Sequence, residues 1–279
     1  MKIGIVGQGY VGTAVKTVFE KHYDVETYDK YQREKGTCDN LGDLVDKSDI
    51  IFVCVPTPMN KDGSCDITSV QSVIYSINFH TADRKLIAIK STIPPGTTTK
   101  LNKECDNVSV IFNPEFLTEA NFIDDFKNQS RIIIGGERPS TTKLRQVYSL
   151  VFPDAKIVKT GSKTAEMVKY LTNTFLATKV SFANEMYQIC DKLNIDYDKV
   201  VEYSTYDERL GKSHWAVPGP DGHFGFGGSC FPKDINALIS LSDDLGLWLH
   251  TLMGVLHTNC DVRPEEDWKE LKGRAVVDE

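Results

Sequence analysis

The sequence predicts an α/β fold with a doubly wound parallel sheet, followed by an all-helical domain. Short apolar segments alternate with segments of helical periodicity up to about residue 161, which is typical of a parallel sheet covered by helices on both faces. Beyond it, residues 165–193 contain no glycine or proline and carry apolar residues at helical spacing. We therefore expect a first domain at 1–161, a helical domain at 162–260 and a charged C-terminal tail at 261–279.

Composition excludes several classes of protein. Of the 279 residues, 41% are hydrophobic and 25% charged, as in globular proteins. The net charge of −7 argues against a general nucleic-acid binder, and no apolar run approaches the ~20 residues of a membrane span. Seven cysteines without framework spacing predict a reducing, cytoplasmic location. The absence of a CxxC pair or a Cys/His cluster predicts no metal site.

The first strand and helix enclose a glycine-rich turn. The apolar run 3–6 leads into a turn with the pattern G-x-G-x-x-G, formed by Gly7, Gln8, Gly9, Tyr10, Val11 and Gly12. In this strand–turn–helix context the pattern indicates a Rossmann-type dinucleotide site. Asp29 ends the second strand and is placed for the ribose hydroxyls of NAD, where it would repel the 2′-phosphate of NADP. The alternative is a glycine-rich turn without a ligand.

Three further loops follow predicted strands at the same edge of the sheet. They comprise residues 56–58, 91–98 and 113–119. Ligands of doubly wound sheets bind beyond the carboxyl ends of the strands. We therefore expect Thr92, Glu115 and Glu119 to line one crevice with the glycine turn.

The helical region offers a polar pair and a surplus of apolar residues. Lys169 and Asn173 are four residues apart and so share one helix face, either as functional groups or as solvated surface. The run 165–193 carries more apolar residues than one core stripe needs. This favours a two-fold interface between two copies of the chain.

A second glycine-rich stretch, 225–234, ends in a cysteine before a predicted helix. Cys230 falls at or just before the helix N-terminus, with Pro232 in the first turn. The helix dipole there and the charge of Lys233 favour a thiolate, the form that acts as a nucleophile. The alternative is a structural cysteine packed as a small apolar residue.

This stretch resembles the cysteine loop of the UDP-glucose/GDP-mannose dehydrogenase family. Other motifs of the family occur in the family's order, up to about residue 258. They are the glycine turn, residues 54–58, 91–98, 113–119, 165–170 with Asn173, and 207–211.

The resemblance implies NAD-dependent oxidation of a nucleotide sugar at C6 to a carboxylate, through a thioester on the cysteine. It implies catalytic roles for Cys230, Lys169, Asn173, Asp234, Glu115 and Thr92. It implies cofactor contacts from the glycine turn, Asp29, Val55, Pro56, Thr57, Thr92, Glu119 and Lys233. It implies substrate contacts from Glu115, Phe116, Leu117, Lys169, Asn173, Arg209, Phe224 and Gly227. It also implies a homodimer through the helical domain, with Arg209 reaching the partner's sugar.

Two departures from the family pattern leave alternatives open. The loop 213–223 differs from the usual sugar-contact segment, so the substrate is UDP-glucose by default, or GDP-mannose or a UDP-N-acetylhexosamine. The sequence ends at residue 279, without the family's third domain, as expected of a minimal form or a fragment. A non-catalytic NAD-binding module that needs a partner is therefore an alternative. A two-electron 3-hydroxyacid dehydrogenase is another, although that reaction needs no thiol.

Overall fold

The computed structural model describes residues 1–278, which divide into two compact units. The first unit comprises Met1–Thr57 and Ile67–Lys169. The second comprises Pro58–Asp66 and the chain from Tyr170 onward. The expected boundary after residue 161 lies at the end of the last strand, and the first unit continues to Lys169.

The first unit is built on a seven-stranded sheet with the order β2-β1-β3-β4-β5-β6-β7. The strands are β1 (Lys2–Val6), β2 (Asp24–Tyr28), β3 (Ile50–Val53), β4 (Lys85–Ile89), β5 (Val108–Phe112), β6 (Arg131–Gly135) and β7 (Lys156–Thr160). The helices between them are α1 (Tyr10–Phe19), α2 (Leu41–Lys47), α3 (Thr68–His80), α4 (Thr97–Glu104), α5 (Phe122–Lys127) and α6 (Ser140–Val151). The predicted α/β fold is confirmed.

One strand pair departs from the predicted parallel arrangement. β5 and β6 are antiparallel and are joined through a single residue pair, Phe112 and Gly135. The chain between them carries the six-residue helix α5.

Both faces of the sheet are buried. Successive residues of β3 alternate between two apolar clusters, with Ile51 and Val53 in one and Ile50 and Phe52 in the other. This burial explains why the central strands are continuous apolar runs rather than alternating ones. It leaves the strand ends and their loops as the places where polar side chains gather.

The second unit is helical. The predicted glycine-free helix is a single one, α7 (Ser162–Lys192), whose residues from Tyr170 onward belong to this unit. It ends before Asn194, whose φ of 55° lies in the left-handed region that asparagine tolerates. The remaining helices are α8 (Tyr197–Ser204), α9 (Phe231–Asp244) and α10 (His250–Val262). None of the helices within residues 1–278 is long and apolar enough to cross a membrane.

The segment 58–66 belongs to the second unit because it pairs with the C-terminal residues. The Met59 amide donates to the Ala275 carbonyl at 2.9 Å, and the Val277 amide donates to the Met59 carbonyl at 3.0 Å. Trp268 and Ala275 are buried. The residues expected to form a charged tail therefore contribute a packed edge to this unit.

Candidate active site

The glycine turn after β1 has room for a diphosphate. Gly7 has a φ of 92°, and a Cβ on Gly12 would lie 1.8 Å from the Gly7 carbonyl oxygen. By contrast, a Cβ on Gly9 would meet nothing within 4 Å. Gly9 is the N-cap of α1 and provides no side-chain cap, so the first amides of the helix are available to an anion. The residues present therefore fit the dinucleotide predicted from the sequence.

Asp29, directly after β2, is hydrogen-bonded to this turn. Its Oδ2 accepts from the Gln8 amide at 2.7 Å, and its Oδ1 accepts from the Tyr31 and Gln32 amides at 2.9 and 2.8 Å. Burial raises the pKa of Asp29, but these amides and Lys35 outweigh it and lower the pKa overall. The carboxylate is therefore held ionised beside the turn.

We expect Asp29→Ala to weaken NAD binding and to narrow the preference for NAD over NADP. The variant removes the negative charge and also the acceptor that holds the Gln8 amide. Titration calorimetry with both nucleotides measures the effect. Asp24→Ala, at the exposed start of the same strand, is the matched control. Equal or tighter binding of NADP by the unmutated protein would contradict the assignment.

The loop after β4 is held by a glutamate that the sequence analysis did not single out. Glu166 of α7 is fully buried and accepts from the Gly96 and Thr98 amides at 2.6 and 2.9 Å and from the Thr98 hydroxyl at 2.6 Å. Thr92 in the same loop is 7% exposed. The first turns of α7 therefore fix the loop in which Thr92 lies.

Lys169 and Glu115 form a buried ion pair within the first unit. The Lys169 Nζ donates to Glu115 Oε1 at 2.9 Å and to its carbonyl at 2.7 Å, and the side chains are 2% and 9% exposed. The Leu117 amide donates to Glu115 Oε2 at 2.6 Å. Burial raises the pKa of Glu115, but Lys169, the Leu117 amide and Lys90 lower it overall. The surface-helix reading of Lys169 is therefore wrong.

In the second unit, α9 begins at the cysteine loop. Cys230 is the N-cap of α9 and is half-buried. Asp234, in the first turn, is 1% exposed and accepts from the Asn173 amide group at 2.6 Å and from Lys233 at 2.5 Å. The sequence prediction that Cys230 lies at a helix N-terminus is confirmed, and the surface reading of Asn173 is wrong.

Lys233 adds a buried positive charge beside this thiol. Burial lowers its pKa, but Asp234, Cys230 and Cys65 outweigh burial, so the pKa of Lys233 is raised overall. Lys233 therefore stays protonated and favours the thiolate form of a neighbouring cysteine. Sequence reasoning missed Cys65 because it lies on the distant segment 58–66.

The glycine-rich residues before Cys230 pack against α10 and against Arg263, which is the C-cap of that helix. Asn259 accepts from the Phe226 amide at 2.7 Å and donates to its carbonyl at 3.0 Å. A Cβ on Gly227 would lie 2.5 Å from the Arg263 guanidinium, which is itself held by Asp221 and Asp267. Glycine is therefore needed at 227 for close packing, and the loop is held firmly on its helix.

The remaining predicted residues differ in their exposure: Thr57 is buried, whereas Pro56 is exposed. The Arg209 side chain is 88% exposed and pairs with Asp207, and Phe224 packs on Tyr187 at 5.5 Å between ring centroids. Phe116 lies under Lys169 at 5.4 Å. Within residues 1–278, no group of three or more His, Cys, Asp or Glu side chains could hold a metal ion.

The chain matches the sequence models of two domains of one family. Residues 30–152 match the NAD binding domain of the UDP-glucose/GDP-mannose dehydrogenase family, and residues 163–261 match its central domain. The NAD assignment is thereby confirmed at the level of the family.

Named relatives agree with these matches. The chain is 33% identical to UDP-glucose 6-dehydrogenase TuaD of Bacillus subtilis over 92% of its own length and 62% of that relative's. It is 36% identical to UDP-glucose 6-dehydrogenase of Rickettsia prowazekii, over 76% of its own length and 49% of the relative's. The chain therefore spans about half to two thirds of these curated relatives.

A solved structure agrees as well. The UDP-glucose dehydrogenase of Pyrobaculum islandicum superposes with a TM-score of 0.84 at 30% identity, covering 92% of this chain and 67% of that one. With the glycine turn, the Lys169–Glu115 pair and the cysteine loop in their expected elements, the matches place this chain in the UDP-glucose/GDP-mannose dehydrogenase family.

Proposed function

We propose that this chain carries out the NAD-dependent, four-electron oxidation of a nucleotide sugar at C6, with UDP-glucose as the first candidate. The observation that carries the proposal is Cys230 at the N-terminus of α9, beside the buried Lys233. A reaction that stops at an aldehyde or ketone needs no thiol. A nucleophilic cysteine in a chain that also carries an NAD domain therefore supports oxidation to a carboxylate, and disfavours a two-electron 3-hydroxyacid dehydrogenase.

The thiol divides the conversion of the aldehyde to the carboxylate into an attack, a hydride loss and a hydrolysis. NAD, when bound, accepts the hydride removed in each of the two oxidations. In the proposed scheme the Cys230 thiolate attacks the carbonyl carbon of the C6 aldehyde, forming a C–S bond, and the oxygen takes up a proton. Loss of a hydride and that proton from this thiohemiacetal leaves a thioester. Water then breaks the C–S bond, releasing the carboxylate and the thiol.

The surrounding residues take roles that suit their charge and contacts. In the proposal Lys169 stabilises the oxygen that becomes negative when the thiolate attacks, and Glu115, with Thr92 beside it, activates water for hydrolysis. Asn173 and Asp234 orient the sugar alcohol and the water. Further substrate contacts are proposed for Phe116, Leu117, Arg209, Phe224 and Gly227. The glycine turn, Asp29, Val55, Pro56, Thr57, Glu119 and Lys233 are proposed to hold the cofactor.

The experiment is a comparison of sugar nucleotides with the purified chain and NAD. We expect UDP-glucose to yield NADH and a product whose mass is that of the uronate. A higher kcat/KM with GDP-mannose or a UDP-N-acetylhexosamine would change the substrate but keep the reaction class. No NADH from any of them, with NAD binding intact, would favour a module that needs a partner for activity.

A homodimer through α7 is part of the proposal. Five large apolar residues of this helix are exposed, namely Met167 (40%), Leu171 (62%), Phe175 (62%), Phe182 (48%) and Ile189 (51%). Their spacing of four and seven residues places them along one side of the helix. An apolar stripe of this kind is costly in water unless it is covered, and a two-fold partner presents the same stripe.

We expect sedimentation velocity at micromolar concentration to give a dimer for the unmutated protein and a monomer for Phe175→Lys. A charge at this position would have to be buried without a partner. Phe79→Lys is the matched control, because Phe79 is 93% exposed on a helix of the first unit. If the unmutated protein is monomeric under these conditions, that result would contradict both the interface and the proposed contact of Arg209 with the partner's sugar.

A further inference from the structure

A second buried lysine lies behind the Glu115–Lys169 pair. Lys90 directly follows β4 and is 2% exposed. Its Nζ donates to the Asn113 carbonyl at 3.2 Å, to Asn113 Oδ1 at 3.2 Å and to the Tyr148 hydroxyl at 3.4 Å. These three acceptors match the three hydrogens of an ammonium group. The site is therefore built to hold a charged lysine rather than a neutral amine.

The main partner of Lys90 is the first residue of the loop that carries Glu115. Asn113 is fully buried, and its side chain also donates to the Ile133 carbonyl at 2.8 Å and accepts from the Tyr148 hydroxyl at 2.5 Å. Its side-chain oxygen and amide are thus both engaged. Since Glu115 lies two residues further on, the position of Asn113 determines where the glutamate backbone leaves the sheet.

The charges around Lys90 come from four elements. Burial, the largest influence, and Lys169 lower the pKa of Lys90, Glu115 raises it, and the net result is a pKa of about 8. The pKa of Cys54 is raised to about 12, chiefly by burial and also by Glu115, while Lys90 acts in the opposite direction. This thiol is therefore neutral near pH 7. Burial raises the pKa of Tyr148 well above its usual value. At neutral pH the Glu115 carboxylate is therefore influenced by two buried ammonium groups.

We propose that Lys90 is a positioning residue for Glu115, which fixes the start of its loop through Asn113 and Tyr148 and adds a second positive charge to the Glu115–Lys169 pair. The inference rests on the proposed function, since it assigns Lys90 to the site in which Glu115 acts. Lys90 itself makes its hydrogen bonds to Asn113 and Tyr148 rather than to Glu115. Its removal should therefore lower kcat while the KM for the sugar nucleotide stays nearly constant.

The first test does not need turnover. The carboxyl carbon of Glu115 can be followed by NMR in 13C-glutamate-labelled protein, with Glu115→Gln identifying its signal. Because a nearby positive charge favours the carboxylate, we expect Lys90→Met to raise the pKa of Glu115 by about one unit. Lys85→Met, at the other end of the same strand, should leave it unchanged. A Glu115 signal that titrates at the same pH in Lys90→Met and in the unmutated protein would overturn the proposal.

The second test uses the pH dependence of kcat and keeps the proposal falsifiable if Lys90→Met fails to fold. As the pH rises through about 8, Lys90 loses a proton and with it one of the three hydrogen bonds to Asn113 and Tyr148. The loop that carries Glu115 is then less firmly positioned, so kcat of the unmutated protein should fall. Lys90→Arg stays charged, so its profile should lack this fall. We expect Lys90→Met to lose kcat by about tenfold, because Glu115 is misplaced. A kcat that is constant in the unmutated protein from pH 7 to about 9.5 would contradict the inference.

The two tests separate this inference from the proposed function. If the unmutated protein oxidises no sugar nucleotide, the proposed function fails, while the NMR titration still decides whether Lys90 acts on Glu115. If the protein is active and the NMR signal does not respond to Lys90→Met, only the role of Lys90 is lost.

Discussion

Cys230→Ser should abolish uronate formation while leaving the fold and NAD binding intact. An alkoxide is far harder to form than a thiolate, so the serine attacks the aldehyde far more slowly than the cysteine does. We expect the rate of the complete oxidation to fall on the order of 10³-fold or more, as for other single-residue losses of a nucleophile. A slow first hydride transfer, or a trapped ester-like adduct, is compatible with this mechanism. The measurement is the rate of uronate production by mass spectrometry.

Two controls distinguish a nucleophile from a structural cysteine. Iodoacetamide should label Cys230 before Cys54, whose pKa is raised to about 12 chiefly by burial, and before the buried Cys190. Bound sugar nucleotide should protect Cys230. Cys65→Ser removes a thiol near the same lysine and should retain the complete oxidation. Unchanged uronate production by Cys230→Ser would refute the thioester route.

The second large effect is expected from Lys169→Met, which removes one partner of a buried ion pair. The Glu115 carboxylate would keep the Leu117 amide but lose its hydrogen bond from Lys169, and the Glu115 carbonyl would lose a second one. Leaving a buried charge without its partner costs about 3–5 kcal/mol of unfolding free energy. Urea denaturation at neutral pH measures this loss. The double variant Lys169→Met/Glu115→Gln is the matched control and should recover most of the stability, because it removes the carboxylate that Lys169→Met leaves without its partner.

The same pair predicts a pH dependence of stability. The pKa of Glu115 is lower in the folded protein than its ordinary value of 4.5, so folding favours the carboxylate. This contribution is fully present above about pH 4.5 and is lost as the pH falls through the lower, folded value. In the acid range the stability of the unmutated protein should therefore fall more steeply than that of Glu115→Gln. Parallel curves for the two proteins would contradict the assignment.

The parts of the site that follow from local sequence were predictable. Gly7 and Gly12 are required because a Cβ at either would collide with nearby backbone, a local constraint that leaves a readable pattern. Cys230 could likewise be placed at a helix start, since Pro232 and the apolar periodicity after it define α9. Such features depend on a few adjacent residues, so one sequence is enough to find them.

Features that depend on long-range packing could not be read in this way. Lys90 looks like an ordinary lysine at the end of an apolar strand, and only its contacts with Asn113 and Tyr148 reveal a buried cation. The single antiparallel bridge between Phe112 and Gly135 depends on the path of the intervening chain. The pairing of Met59 with the segment around Ala275 joins residues far apart in sequence. No periodicity or motif encodes these contacts.

The central claim is that one chain performs both oxidations and that the second takes place on a cysteine-bound sugar. The most direct measurement is the number of NADH molecules formed per molecule of UDP-glucose consumed to completion by the purified protein. The account predicts two NADH per UDP-glucose, with the uronate as product and no free aldehyde. One NADH per substrate, unaffected by Cys230→Ser, would contradict it and would describe a simple alcohol dehydrogenase with a structural cysteine.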